Sequence, residues 1–340
     1  MTPSVAVVIP CYRVRSHILR LIKNIGMEVD WIIVVDDACP DNSGQYVSEN
    51  CSDDRVRVLR NDKNQGVGQT VLNGYSYASI VGADIMIKLD GDGQMDPRLI
   101  KDLIRPILDG RADYAKGNRF FNVEGLRSMP RVRLLGNAVL SILSKISSGY
   151  WTIFDPTNGY TAISASVFAL LPITKISCRY FFESDMLFHL GTVRACVVDV
   201  PMDAIYADEK SNLTVSGIIH KFLYKHMTNT CKRIAYSYFL RDFSIASVEL
   251  IVGICFVLFG TAFGAYHWVE SIRTSITATT GTVMLAALPI ILGVQLLLSF
   301  LAFDIGSTPS TAIHNLLQNV RHPAFSNTQE LEFQEHEPTR

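Results

Sequence analysis

The sequence predicts an α/β fold with a mostly parallel sheet, followed by two transmembrane helices near the C-terminus. Three observations predict it: short β-rich runs alternate with helical patterns through the first half, polar loops recur after each of those runs, and two long apolar stretches lie late in the chain.

The strand candidates are Val5 to Ile9, Trp31 to Val35, Val56 to Leu59 and Ile85 to Leu89. Helix-like segments lie between them, around Ser16 to Ile25, Ser43 to Glu49 and Gly68 to Val81. Near-continuous apolar strands alternating with helices belong to a sheet covered on both faces, whose ligands bind outside the carboxyl ends of the strands. Pro10-Cys-Tyr12, Asp36-Asp37, Asn61 to Asn64 and Asp90-Gly-Asp92 follow the four strands in turn, so four polar loops should open on one rim. A dinucleotide-binding site would want G-x-G-x-x-G after the first strand, where this chain reads PCYRVRS.

Downstream, Arg131 to Ser148 carries apolar residues at helical spacing with basic ends, and reads either as a surface helix packed on the domain or as one lying in a membrane interface. Gly217 to Leu240 is a second basic amphipathic segment, joined to the first long apolar run. That run, Ser244 to Tyr266, has one charge in 23 residues, and Val283 to Phe303 has none in 21. Each can cross a hydrocarbon core of about 30 Å as a helix. Glu249 lies near the start of the first run, within reach of the interface, and Pro289 is tolerable in a span. Lys221, Lys225, Lys232, Arg233 and Arg241 precede the first span, whereas the connection from 267 to 282 holds only Arg273 and Glu270. The positive-inside rule therefore expects the N-terminal region and the C-terminus in the cytoplasm, in a multi-pass protein of the inner membrane. The expected domains are 1–216 catalytic, 217–242 juxtamembrane, 243–304 a two-helix anchor and 305–340 a flexible tail.

Bulk properties exclude some classes. A net charge of -1 and a pI near 6.7 argue against nucleic-acid binding through bulk positive charge. The mean hydropathy of +0.21 is high for a soluble enzyme and is explained by the two apolar runs. Seven dispersed cysteines with no C-x-x-C pair fit free thiols in a reducing compartment. Val5 to Ile9 is too short for a signal-peptide core.

Taken alone, Asp90-Gly-Asp92 reads as a solvated turn. At a strand end among other polar loops, the two carboxylates suit a Mg or Mn ion beneath a nucleotide diphosphate, with Gln94 offering an amide oxygen on the same side of an extended stretch. Arg119 alone reads as a surface cation, Asp155-Pro156 as a turn initiator, Asp185 as a solvated helix face, and His189 as a packing residue.

The ordered set VAVVIPCYR, IIVVDDACPDNS, NQGVGQTVLNGYSYA, IKLDGDGQMDP, KGNRF, DPTNGYTAIS and FFESDMLFHL resembles the family 2 glycosyltransferases with the nucleotide-sugar (GT-A) fold. With the two spans, it resembles the polyprenyl-phosphate and dolichol-phosphate branch. The resemblance covers roughly Val5 to Phe303. It implies an inverting transfer of a sugar, from a UDP-linked donor by expectation, to a polyprenyl phosphate with Mg2+ or Mn2+ as cofactor, by a protein that assembles as a homo-oligomer in the membrane.

By position, the resemblance implies that Pro10 and Tyr12 line the nucleotide pocket and Asp37 binds the base. Asp90, Asp92 and Gln94 bind metal and diphosphate, and Lys210 closes over them. Arg119, Asp155 and Asp185 face the transferred group. The usual VDDGS is VDDAC here, so the turn after Asp37 lacks its glycine. The paired Glu-Asp base motif is split into Glu183-Ser-Asp185, which leaves the base open between the two. A lipid phosphate, largely deprotonated at neutral pH, needs alignment rather than a base; a saccharide hydroxyl would need a real one. The alternatives are thus a membrane-anchored transferase acting on a saccharide hydroxyl and a non-catalytic scaffold binding nucleotide or lipid.

Overall fold

The computed structural model describes residues 2–121, 131–202 and 215–317. Contacts group the chain into two units, Met1–Thr230 with Pro309–Arg340, and Cys231–Thr308.

In the first unit, each expected strand forms. β1 (Val5–Cys11), β2 (Trp31–Asp36), β3 (Val56–Arg60) and β4 (Ile85–Lys88) are joined in one sheet with β5 (Tyr114–Asn118), β6 (Thr161–Ser164) and β7 (Val197–Pro201), in the order β3-β2-β1-β4-β6-β5-β7. β1 pairs parallel with β2 and β4, and β2 with β3. β6 runs antiparallel to both β4 and β5. That double reversal makes β5 parallel to β4, and β7 runs parallel to β5. Six carboxyl ends therefore share one rim, and the loop entering β6 arrives at the same rim.

Strand periodicity divides the apolar side chains between two layers. Ala6, Val8, Ile33, Val35 and Met86 face one core, together with Val71, Leu72 and Tyr75 of the helix Val67–Ile80 and Phe182, Met186 and Leu190 of the helix Phe182–Thr192. Val5, Val7, Ile9, Ile32, Val34, Ile85 and Ile87 face the other, against helices Ile18–Lys23 and Ile100–Leu108. Each fully buried aliphatic side chain contributes roughly 1.5–3 kcal/mol. Burial on both faces is what removes polar alternation from the strands.

The segment after the second apolar helix belongs to this unit. Asp113, fully buried just before β5, accepts hydrogen bonds from the backbone N–H of Cys196, Ile313 and His314 at 2.7–3.0 Å, and His314 Nδ1 lies 2.9 Å from it. Ala312 is buried beside Ala112 and Cys196. The stretch expected to be flexible from 305 onward thus includes a docked portion, because a buried carboxylate requires donors that these amides supply.

The second unit is a helical hairpin. Helices Ile245–Thr274 and Thr280–Gly306 are long and apolar enough to cross a membrane, and only 22% and 11% of their most apolar windows are buried. A helix in a soluble core would be mostly covered. Close approach is built in: a β-carbon at Gly253 would stand 3.1 Å from the carbonyl oxygen of Gly293. Glu249 accepts a hydrogen bond from Ser299 Oγ on the other helix at 2.8 Å. Of the basic residues that precede the first span, Arg233 is buried and forms a two-armed pair with Asp304 at 2.6 and 3.0 Å.

Candidate active site

The rim begins at β1, where Pro10 is half-buried opposite Val35 and Tyr12 is exposed, with the Arg13 guanidinium 5.5 Å from its ring centre. These two expected pocket residues sit together at the end of the strand, Pro10 within it and Tyr12 just past it.

Asp36 and Asp37 are both buried at the end of β2. Asp36 accepts from Cys39 N and Gly44 N, both at 2.7 Å, and so closes the turn onto the helix Ser43–Asn50. Ala38 takes φ +49°, the left-handed conformation that the missing glycine would adopt freely. Asp37 accepts from Asn61 Nδ2 at 2.9 Å, Gln65 N at 2.8 Å and Gly66 N at 2.9 Å. It thereby draws the loop after β3 to the rim, and three of the roughly four acceptor positions of a carboxylate are taken.

β4 ends in the Asp-Gly-Asp stretch. Asp92 Oδ1 accepts from Gln94 N at 2.9 Å, so Asp92 and Gln94 belong to one tight turn. Asp90 Oδ1 is 2.7 Å from Nζ of the buried Lys88, which is also 3.3 Å from Glu183 Oε1. Burial alone would push the Lys88 ammonium down, but Asp90 and Glu183 together hold it above the ordinary lysine range.

β5 delivers Lys116 and Arg119 to the loop entering β6. Arg119 Nε and Nη2 meet the two oxygens of Asp155 at 2.8 and 3.0 Å, and the Arg119 N–H adds a third contact at 3.3 Å. Burial would raise the Asp155 carboxyl, yet the Arg119 bonds and the Lys116 charge hold it below the usual carboxylate range. The Lys116 ammonium donates to the carbonyls of Asp155 and Asn158, so it shapes this loop from beneath. Burial pushes Lys116 down to about 8, against the pull of Asp155 and Asp199.

Glu183 and Asp185 stand two positions apart on one helix and so point to different sides. Glu183 joins Lys88 and Asp90. Asp185 instead accepts from Ser177 N and from Asn229 Nδ2, both at 2.8 Å, and is buried. In this structure the two oxygens of Asp185, expected beside the transferred group, tie a loop and the helix Val215–Ala235 to this one. Lys210 lies outside the described residues.

Among the described residues, no three His, Cys, Asp or Glu side chains gather as a ready metal cage. The hard oxygens of Asp90, Asp92 and Gln94 still suit a Mg or Mn ion whose shell is completed by phosphate and water. Sequence reasoning missed Lys88 and Lys116. Their signal was available, since a lysine in an otherwise apolar strand is almost never buried unpaired.

Residues 6–171 match the family model described as glycosyl transferase family 2. The chain is 28% identical over 215 residues to a UDP-N-acetylglucosamine–dolichyl-phosphate N-acetylglucosaminyltransferase of Methanococcus voltae, covering 59% of this chain and 85% of the relative. It is 27% identical over 206 residues to a polyprenol monophosphomannose synthase of Mycolicibacterium smegmatis, covering 59% and 77%. Among solved structures, glucosyl-3-phosphoglycerate synthase from Mycobacterium tuberculosis, held with Mn2+, UDP and glucosyl-3-phosphoglycerate, superposes with a TM-score of 0.51 at 16% identity, over 68% of this chain and 80% of that one. That likeness establishes the GT-A fold.

Proposed function

From the match of residues 6–171 to the glycosyl transferase family 2 model, we propose that this chain moves a sugar from a nucleotide diphosphate sugar to a polyprenyl phosphate at the cytoplasmic membrane face, with inversion. The observation that carries the reading is the meeting, on one rim, of the Asp90–Asp92 turn with the Arg119–Asp155 pair. The relatives that act on dolichyl and polyprenyl phosphates support the acceptor class.

Tyr12 and Pro10 would line the nucleotide pocket, beside a wall that Asp37 stiffens. Asp90, Asp92 and the Gln94 amide would hold a divalent ion, which when bound neutralises charge on a departing diphosphate. A phosphate oxygen of the lipid attacks the anomeric carbon as the bond from that carbon to the nucleotide diphosphate breaks. No proton needs removing from such a nucleophile. Arg119, fixed by Asp155, would offer its positive charge to anionic oxygen, and Lys116 keeps the 155–158 loop in place.

The two apolar helices would anchor the enzyme as a membrane hairpin. The docking of Ile313 and His314 on Asp113 supports an even number of crossings, since chain on both sides of the hairpin then belongs to one unit.

A second reading takes Glu183, which meets Asp90 across Lys88, as base for a saccharide hydroxyl. The deciding experiment incubates the purified chain with short-chain polyprenyl phosphate or soluble saccharides, a panel of labelled nucleotide sugars, and Mn2+, Mg2+ or chelator. Label entering the organic phase only with metal supports the proposal. Label entering only the saccharide overturns it.

A further inference from the structure

Lys88 has no task in the reaction just described, although it is fully buried at the end of β4. The structure makes room for it. A β-carbon at Gly159 would collide with its Nζ and come within 2.7 Å of Asp90 Oδ2, so a side chain there would push the ion pair aside. A buried ammonium needs its charge compensated, and Lys88 has two carboxylates, at 2.7 Å and 3.3 Å.

Of these partners, Asp90 belongs to the Asp-Gly-Asp turn and Glu183 does not. An ammonium and a divalent ion seek the same lone pairs on Asp90, and two cations on one carboxylate repel. The lysine stem is flexible enough to shift its weight from one partner to the other without leaving its cavity. We infer that Lys88 is a resident counter-cation of Asp90, handed over to Glu183 when a divalent ion enters, so that Glu183 holds the displaced ammonium and is a positioning residue. The inference rests on the metal reading above and adds to it the group that vacates the site.

The test measures Mn2+ binding to the full-length protein in detergent, from the spin-resonance signal of free Mn2+, for the wild type, Lys88→Met, Glu183→Gln and the double variant. Lys88→Met should bind Mn2+ about tenfold more tightly, and Glu183→Gln about tenfold more weakly. The double variant should bind within about twofold of Lys88→Met, because without the ammonium nothing needs handing over. If Glu183→Gln weakens binding by the same factor in both backgrounds, the two charges act independently and the inference fails. Equal binding by wild type and Lys88→Met also overturns it. A wild type that binds no Mn2+ overturns the metal reading and the inference together. Should Lys88→Met alone fail to fold, the double variant, which keeps the local net charge, is compared with Glu183→Gln and must bind far more tightly.

Discussion

Arg119 and Asp155 meet through two parallel hydrogen bonds of 2.8 and 3.0 Å, with the carboxylate almost completely buried and the guanidinium partly open to solvent. The buried carboxylate is structural, and it holds in place an arginine side chain that is 22% exposed.

Removing the arginine should therefore damage both stability and turnover. Arg119→Met leaves Asp155 buried without its fork, a loss of about 3 kcal/mol. Arg119→Lys should recover part of the stability but little activity, because an ammonium cannot reproduce the two-armed geometry. Chemical denaturation beside kcat separates the two effects.

Asp185 should behave differently. Both its oxygens accept structural hydrogen bonds, so Asp185→Asn turns a donor toward Ser177 N or Asn229 and should cost about 1–3 kcal/mol. Turnover below the unfolding transition should be largely retained. A kcat collapse with an unchanged unfolding midpoint would return Asp185 to the chemistry.

The fold was legible where burial is two-sided and local. All four strand candidates formed, because an apolar run flanked by turn residues is a strand in almost any α/β context. β5, β6 and β7 were not read: YAKGN and VVDVP carry polar residues whose partners, Asp155, Asn118 and Phe154, lie far away in sequence. The site was legible as motifs and illegible as pairings. Glu183-Ser-Asp185 could not say which acid turns toward Asp90, since that depends on how the helix Phe182–Thr192 is rotated against β4. Lys88, inside the quoted motif, signals a buried cation in an apolar strand, but its neighbours Glu183 and Gly159 lie far away in sequence and are brought to it only by the fold.

Acid should weaken the first unit through His226. Its Nδ1 is 2.8 Å from Ser147 Oγ, its ring packs 4.8 Å from that of Phe181, and its buried Nε2 has no hydrogen-bond partner among the described residues. Burial lowers it from 6.5 to about 4, against a weaker pull from Asp185. The unfolded chain takes up this proton first, so stability is full above about pH 6.5, declines as pH falls toward about 4, and changes no further below that; the whole difference is at most about 3 kcal/mol. Denaturation midpoints across this range should flatten in His226→Gln.

Truncation after Thr311 should destabilise the first unit. It strips Asp113 of its contacts from Ile313 and His314, leaving a buried carboxylate with Cys196 N, at a cost of about 2–4 kcal/mol. Truncation after Leu317 spares those contacts and serves as the control, with thermal unfolding as the readout.

The central claim is that a lipid-borne phosphate receives the sugar. Mass spectrometry of the lipid after reaction with the active nucleotide sugar tests it most directly, with Asp92→Ala alongside. The account predicts polyprenyl phosphate heavier by one sugar residue, linked through phosphate with the anomeric configuration opposite to the donor's, and none of this product from Asp92→Ala. An unaltered lipid beside a glycosylated saccharide, or equal product from Asp92→Ala, would contradict it.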